Sequence, residues 1–468
     1  MTDTPNVLLV VADQHRYDWL EGYDDSLPLR TPNIRRLQDM GVTFRRATTP
    51  SPLCAPARAC LATGLDYDSS PVPNNSHDLP PDAATYYRYL RDDAGYFVAG
   101  VGKFDLHKAT FDWNLDGSRL LSEWGLNDGI DNEGKFDSLW SGREEPHGPY
   151  MKHLYDKGLA AAHLADFERR KHALYADVEP SPLPEPSYLD NWIAANAHAI
   201  LDRRPEGQPW HVVVNFAGPH DPMDVTRRMA DEWQGVEFPG PHAPGDFDGD
   251  HNLVRQRYAA MIENIDRHLG DFLDRLEREG ELDNTVVIYT SDHGEMLGDH
   301  GSWGKSIALE ASVRIPFIVA GPIVEGRGVE SDALISLEDI AATVVDVAGL
   351  DVPDTMTARS FTPVLRGERD AHREYTVSGL DRNAKQIQGS LAHYGDSMWA
   401  RLRRWRTVMT ASEKLTVSSD LPSPVLVDLT ADPWEDVDVS AERPETVERL
   451  IAAVDPAFVA QADEESGA

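Results

Sequence analysis

Cysteine is almost absent: the 468 residues hold two, Cys54 and Cys60. Their short spacing suits neither a disulfide framework nor a zinc pair of the C-x-x-C kind, so disulfides are not expected to hold this protein together. Long apolar runs are missing too. Met1-Thr2-Asp3-Thr4-Pro5 carries no basic residue, and the run Val7 to Ala12 is too short for a signal core or a membrane span. A strand is expected there, and a cytoplasmic location. Positive charge is scarce, with 44 Lys+Arg against 79 Asp+Glu and a net charge of −35, and most of the basic residues are arginine. Such a field repels nucleic acid and anionic membranes, which are excluded as partners. The acidity runs along the whole chain instead of sitting in one tail. It reads as adaptation to concentrated salt, where the Debye length falls to about 3 Å at 1 M and self-repulsion is muted. No internal repeat is evident, and nothing in the sequence fixes an oligomeric state.

What is present is an alternation of apolar runs and helical patterns. Buried strands are expected at Val7 to Ala12, Tyr96 to Val101, His211 to Phe216, Thr285 to Thr290 and Pro316 to Ala320. Helices are expected at Thr31 to Met40, Ala83 to Asp93, Tyr188 to Leu201, His251 to Glu279 and Ser336 to Val347. This order implies an α/β fold with a large, mostly parallel sheet between helical layers. The stretch Phe104 to Pro186 has weak periodicity and reads as long loops or an insertion over the site. After about Gly367 the pattern shortens: runs at Tyr375 to Ser378, Trp399 to Thr410 and Val425 to Leu429 precede a helix-like Pro444 to Val454. The expected division is residues 1–370 as a catalytic domain and 371–468 as a small antiparallel sheet with a helix. Its tail, Asp463-Glu464-Glu465-Ser466-Gly467-Ala468, is expected to be disordered.

Ligands in such sheets bind beyond the carboxyl ends of the strands, where the chemistry-bearing residues fall. Asp13 and Gln14 follow the first run, Lys103 the second, His220 the third, and Asp292 and His293 the fourth. Together Asp13, Gln14, Asp292 and His293 offer carboxylate and amide oxygens with an imidazole, a shell for one divalent cation. Cys54 opens the segment Cys54-Ala55-Pro56-Ala57-Arg58, where proline is tolerated in a first helical turn and the following residues are helix-permissive. A nucleophile there would face unpaired N–H groups and the positive end of the helix dipole, with Arg58 one turn behind. The plain alternative is a buried structural cysteine.

Seven ordered motifs resemble the type I sulfatase family of the alkaline-phosphatase-like superfamily. They are Asp13-Gln14, Cys54 to Gly64, Gly102-Lys103, Pro219-His220-Asp221-Pro222, Ser291 to Glu295, Trp303-Gly304-Lys305 and Arg314-Ile315-Pro316. The stretch Val425 to Glu435 is similar to the family's closing strand and turn. The resemblance implies hydrolysis of a small-molecule or saccharide sulfate ester through a formylglycine made from Cys54 by a maturation enzyme. It also implies one divalent metal, calcium first and manganese second, held by Asp13, Gln14, Cys54, Asp292 and His293. Cys54, as a formylglycine hydrate, would attack sulfur. Arg58 and Lys103 would hold the hydrate, and Lys305 and His220, with Lys103, would bind the sulfuryl and leaving oxygens.

Two departures bear on this. Phe104 is followed by Asp105 where many sulfatases have histidine, so the helper in sulfate release is expected to be His107, with Asp105 as the alternative. Gln14 and His293 replace the acid and amide of calcium-dependent members, a combination that resembles choline sulfatases and phosphonate monoester hydrolases. Phosphonate monoester or phosphodiester hydrolysis is therefore the alternative activity, and an unmodified anion-binding protein a third reading. Trp113, Trp124 and Trp140 are candidates for stacking on a sugar or enclosing a quaternary ammonium.

Overall fold

Every residue of the first strand, β1 (Asn6–Asp13), is buried in the computed structural model, which describes residues 4–24 and 26–459. Its side chains alternate between two cores: Leu8, Val10 and Ala12 pack on one face of the sheet, and Val7, Leu9 and Val11 on the other. A strand covered on both faces needs apolar residues at every position, which is why it reads as a continuous run.

The strands of the large sheet are β1, β2 (Gly41–Thr48), β3 (Phe97–Gly102), β4 (Asp128–Asp131), β5 (Trp210–Pro219), β6 (Thr285–Ser291), β7 (Phe317–Ala320) and β8 (Val329–Ser336). Their spatial order is β4-β3-β5-β1-β6-β7-β2-β8. All neighbours are parallel except β7, which runs antiparallel to both β6 and β2. Helices Leu189–Asp202 and His251–Glu279 cover one face, and Cys54–Thr63 and Asp339–Val347 the other. The long helix is capped by Asp250, whose side chain accepts from the N–H groups of Asn252 and Leu253, and it ends at Gly280 with φ 71°.

A second, antiparallel sheet contains β9 (Thr376–Asp381), β10 (Arg404–Met409), β11 (Glu413–Ser418) and β12 (Val425–Asp428) in the order β12-β11-β10-β9. The helix Pro444–Ile451 and the residues after it lay Leu450, Val454 and Phe458 over Val408, Leu415, Val417 and Leu426. The opposite face, with Leu380, Trp405 and Val427, packs on Met296, Ile307 and Val313 of the large unit. The expected disorder of Asp463 to Ala468 lies outside the described residues. No helix among the described residues is long and apolar enough to cross a membrane.

Phe104 to Pro186 joins long loops to elements that its weak periodicity did not mark: β4 and the helices Lys135–Ser141, Pro149–Asp156 and Ala160–Arg170. Their inward positions include polar groups satisfied by one another, such as the buried Arg170 on Asp166 at 2.9 Å and His163 on Ser138 at 2.7 Å. Apolar periodicity is consequently weak. Ala83 to Asp93 is also shorter than expected, a turn at Tyr86–Arg88 running into one π turn. β2, β4, β8, β11 and the helix Ala384–Tyr394 had no counterpart in the sequence reading.

The closing turn is fastened by a buried pair, Lys414 and Glu435, and the other Glu435 oxygen accepts from Glu310 N–H at 2.6 Å. Burial raises the Glu435 carboxyl and Lys414 draws it back. Glu435→Ala strands a buried ammonium and is expected to cost about 3 kcal/mol. A Lys414→Met/Glu435→Leu double variant should recover most of that loss in a denaturant titration.

Candidate active site

The register of the sheet builds the site. Ala12 of β1 lies beside Ser291 of β6, so Asp13-Gln14 and Asp292-His293 leave the sheet side by side. Ser291 Oγ locks the two ends together, accepting from His15 N–H at 2.8 Å and approaching Ala12 O and His293 O at 3.0 and 2.8 Å. Lys103 follows β3. Gly102 before it has φ 111°, and a Cβ there would lie 1.9 Å from Asn215 O, so only glycine allows this exit. His220 follows β5.

Cys54 is the first residue of the helix Cys54–Thr63, with Pro56 in the first turn, where its missing N–H leaves no bond unmade. Its Sγ lies 2.9 Å from Lys305 Nζ, 3.3 Å from His293 Nε2 and 3.9 Å from Asp13 Oδ1. Burial and Asp13 push the thiol up, but Lys103, Lys305 and His293 outweigh them and hold it well below the usual thiol range. The loop carrying Lys305 is tied to the nucleophile's own loop by Ser306 N–H on Pro52 O at 3.0 Å.

Arg58 is turned toward the carboxylates behind the nucleophile. Its Nε donates to Asp292 Oδ2 at 2.9 Å, its Nη1 to Asn215 Oδ1 at 3.0 Å, and its Nη2 sits 3.6 Å from Asp13 Oδ2. Arg58 therefore braces the carboxylates, the groups with the larger uncompensated charge. Lys103 bridges Asp13 and Asp105, at 2.8 Å from the latter. Burial alone would raise Asp13, and Lys103, His220, Lys305 and Arg58 reverse it to well below the carboxylate range.

Asp13, Cys54, Asp292 and His293 bring one donor atom each within 4.8 Å of one another, all buried. Gln14, at φ 70°, completes the set. Its Nε2 is engaged by Glu295, Tyr175 and Asp221, leaving the buried Oε1 with no hydrogen-bond partner. An orphaned amide oxygen beside two carboxylates and an imidazole is the donor a divalent cation would satisfy, so these residues fit one.

His107 corrects the sequence reading. The chain turns at Asp105, with φ 54°, so that Asp105 points back at Lys103 and at Lys108, 3.0 Å away. His107 points elsewhere: its Nε2 is 2.9 Å from Asp131 Oδ2, and its ring packs against Trp113 and Trp124. Burial presses the imidazole down and Asp131 raises it above its usual value. His220, beside the metal-shell His293, is the second imidazole that faces the nucleophile. Its Nδ1 donates to Asp221 O at 2.6 Å; burial and Lys305 depress it, and Asp221, Asp13 and Cys54 raise it overall.

The profile of the Sulfatase family matches residues 5–350. The chain belongs to that family. It is similar to the arylsulfatase of Clostridium perfringens (strain 13 / Type A), 27% identical over 397 residues, covering 79% of this chain and 80% of that protein. Among solved structures, the phosphonate monoester hydrolase of Agrobacterium radiobacter superposes with TM-score 0.75 at 23% identity, over 96% and 94% of the two chains. A protein in complex with its substrate D-glucosamine-2-N,6-O-disulfate superposes with TM-score 0.74 at 20% identity, over 99% and 98%. At that identity the structural likenesses establish the alkaline-phosphatase-like fold. The family establishes the activity: this sulfatase hydrolyses sulfate esters.

Beside Cys54 the sulfatase has a cavity of about 340 Å³ lined by Lys103, Lys108, Lys135, His220, Lys305 and Arg382, with Asn75, Phe136, Trp140 and Tyr394. Trp113 and Trp124 are core residues, whereas Trp140 is 51% exposed at the cavity. Sequence reasoning missed Lys108, Lys135 and Arg382. One signal was available: the chain has nine lysines in all, and four of them line this cavity.

Because Arg58 compensates two buried carboxylates, Arg58→Ala is expected to destabilise the metal-free protein by about 3 kcal/mol. Added metal should recover much of the loss, which thermal melts with and without a chelator would read.

Proposed function

We propose that this sulfatase acts on saccharide sulfates that carry a second anionic group, using a formylglycine at residue 54 and one calcium or manganese ion at Asp13, Gln14, Asp292 and His293. The observation that carries the reading is the convergence of scarce cations on one cavity. Arg382 matters most. It is 7% exposed and donates through Nη2 to the carbonyls of Ala400 and Leu402, while its Nε has no partner and no carboxylate lies within ion-pair distance among the described residues. Burial depresses its guanidinium to about 10, a strain that a bound anion would relieve. Trp140 and Phe136 offer aromatic surface for a sugar face. A quaternary ammonium finds less: the one acid lining the cavity, Asp137, is taken by Lys108 at 2.6 Å. A protein of the same fold was solved with a substrate that bears two sulfates, which supports the reading.

In this family the modified cysteine supplies an aldehyde hydrate as nucleophile and the ion polarises the ester. The chain's own residues do the rest. Lys305, 2.9 Å from the Cys54 sulfur, neutralises charge at the reacting centre, and Lys103 is held for the same purpose between Asp13 and Asp105. His220 has its Nδ1 committed to Asp221 O, which leaves its Nε2 to face residue 54 and protonate the leaving oxygen, and the raised imidazole keeps that proton available.

The test combines peptide mass analysis of residue 54 with turnover on three esters: a neutral aryl sulfate, a sugar disulfate and phenyl phosphonate. Formylglycine and preference for the disulfate are expected. Arg382→Ala should lower kcat/KM on the disulfate at least tenfold and leave the aryl sulfate within about twofold, a charged hydrogen bond being worth about 1.5–3 kcal/mol. Equal losses on both esters, or preference for phenyl phosphonate, would sink the reading.

We further propose an intracellular setting of high salt. The support is the net charge of −35, carried by a surface whose self-repulsion salt relieves. The thermal midpoint is expected to climb as potassium chloride goes from roughly 0.1 M to 1 M, while the Debye length falls from about 10 to about 3 Å; a flat response would remove this proposal.

A further inference from the structure

Away from the catalytic cavity, three side chains from distant parts of the chain meet at the seam between the two sheets. His242 lies in the segment before the helix His251–Glu279, His300 in the single turn between β6 and Lys305, and Asp436 in the turn after β12. One donor atom of each falls within 4.8 Å of the others. His242 Nε2 is 2.9 Å from Asp436 Oδ2, and His300 Nδ1 is 3.9 Å from Asp436 Oδ1.

The other ring nitrogen of His300 decides what this cluster can hold. Nε2 lies 2.9 Å from the carbonyl of Trp434, which can only accept, so Nε2 carries the hydrogen. In the neutral ring Nδ1 is then a bare lone pair aimed at a carboxylate 3.9 Å away, two acceptors with nothing between them. Protonating Nδ1 would make this an ion pair, but at 3.9 Å it would still form no hydrogen bond. A metal ion would fill that gap: metal-bound imidazoles characteristically donate their second N–H to a carbonyl or carboxylate, and ligand atoms around a metal with bonds near 2.0–2.1 Å sit roughly 3–4 Å apart, so the ion would also replace the hydrogen bond that His242 Nε2 donates to Asp436 Oδ2 at 2.9 Å.

The frame is also fixed in advance. His242 N–H donates to Asp299 Oδ1 at 2.8 Å, and His300 N–H to His242 O at 2.9 Å, so the two histidine backbones are locked together. The Trp434 indole stacks on the His242 ring at 4.5 Å and 12° between planes, setting its orientation. His300 itself is held at φ 51°, a left-handed conformation uncommon outside glycine and asparagine. Asp299 is gripped from its other oxygen by Arg16, two residues after Gln14.

We infer that His242, His300 and Asp436 form a second metal site, specific for a zinc-class ion and separate from the catalytic metal. Two imidazole nitrogens and one carboxylate suit zinc, cobalt or nickel and disfavour calcium or magnesium, and partial exposure leaves a fourth position for water. The ion would staple the closing turn of the small sheet to the loop that carries Lys305.

The experiment uses tag-free, full-length protein with its catalytic metal in place. Cobalt is titrated in and followed by visible absorption, with zinc competition against a chromophoric chelator. One equivalent bound at this site is expected, with affinity reduced at least tenfold in His300→Asn, which tolerates the left-handed backbone, and in Asp436→Asn. Asp292→Ala, which damages the catalytic shell, should retain the signal. Zinc should raise the thermal midpoint of the wild type and leave that of Asp436→Asn unchanged. The inference is overturned if the wild type binds no more cobalt than a His242→Ala/His300→Asn double variant, if Asp292→Ala abolishes the absorption, or if zinc shifts all midpoints equally.

Discussion

The site depends on one electrostatic arrangement: the carboxylates of Asp13 and Asp292, buried at neighbouring strand ends, held by Arg58 and Lys103. Burying two like charges side by side is prohibitive without compensation. Arg58 supplies it from the second turn of the helix that Cys54 begins, so the same ten-residue element positions the nucleophile and neutralises the metal ligands. Asn215 in β5 and the Lys103 carbonyl fix that guanidinium in turn, at 3.0 and 2.5 Å. The spacing of Cys54 and Arg58 is thus a consequence of geometry: one helical turn separates the atom that reacts from the charge that makes its surroundings tolerable.

Gln14 shows how finely the shell is set. Three acceptors, Glu295, Tyr175 and Asp221, claim its amide nitrogen and leave the oxygen unmatched toward the carboxylates. Tyr175 belongs to the region between Phe104 and Pro186, Asp221 follows β5 and Glu295 follows β6. Groups from three places thus orient this one amide, and the turn Leu174–Ala176 ties the region between Phe104 and Pro186 to the shell as well as to the cavity wall.

Much of this was legible in the sequence. A doubly covered strand such as β1 needs apolar residues throughout, and residues at the ends of such strands converge whatever the intervening chain does, so Asp13, Lys103, His220 and Asp292 could be assembled from order alone. His107 could not. Distance along the chain placed it close behind Lys103, but a left-handed turn at Asp105 reverses the direction of the side chains, and the aromatic surface of Trp113 and Trp124 with Asp131 captures the imidazole. The helices of the inserted region were hidden for a related reason: pairs such as Arg170 and Asp166 sit where apolar residues would have marked the buried face. Arg382 was hidden because it comes from the small sheet, whose docking no local pattern encodes.

The distribution of charge links the surface to the pit. At low salt a net charge of −35 opposes the arrival of any anionic ester, whatever the cavity offers once it is reached. Screening acts on the two parts unequally. The long-range repulsion between the surface and an approaching sulfate weakens within a few ångströms as salt rises, whereas contacts of buried groups such as Lys305 are screened far less. Salt therefore removes the barrier without dissolving the attraction. That asymmetry shows how a chain can be acidic nearly everywhere and still bind anions: four of its nine lysines, largely withdrawn from solvent, stand at one cavity.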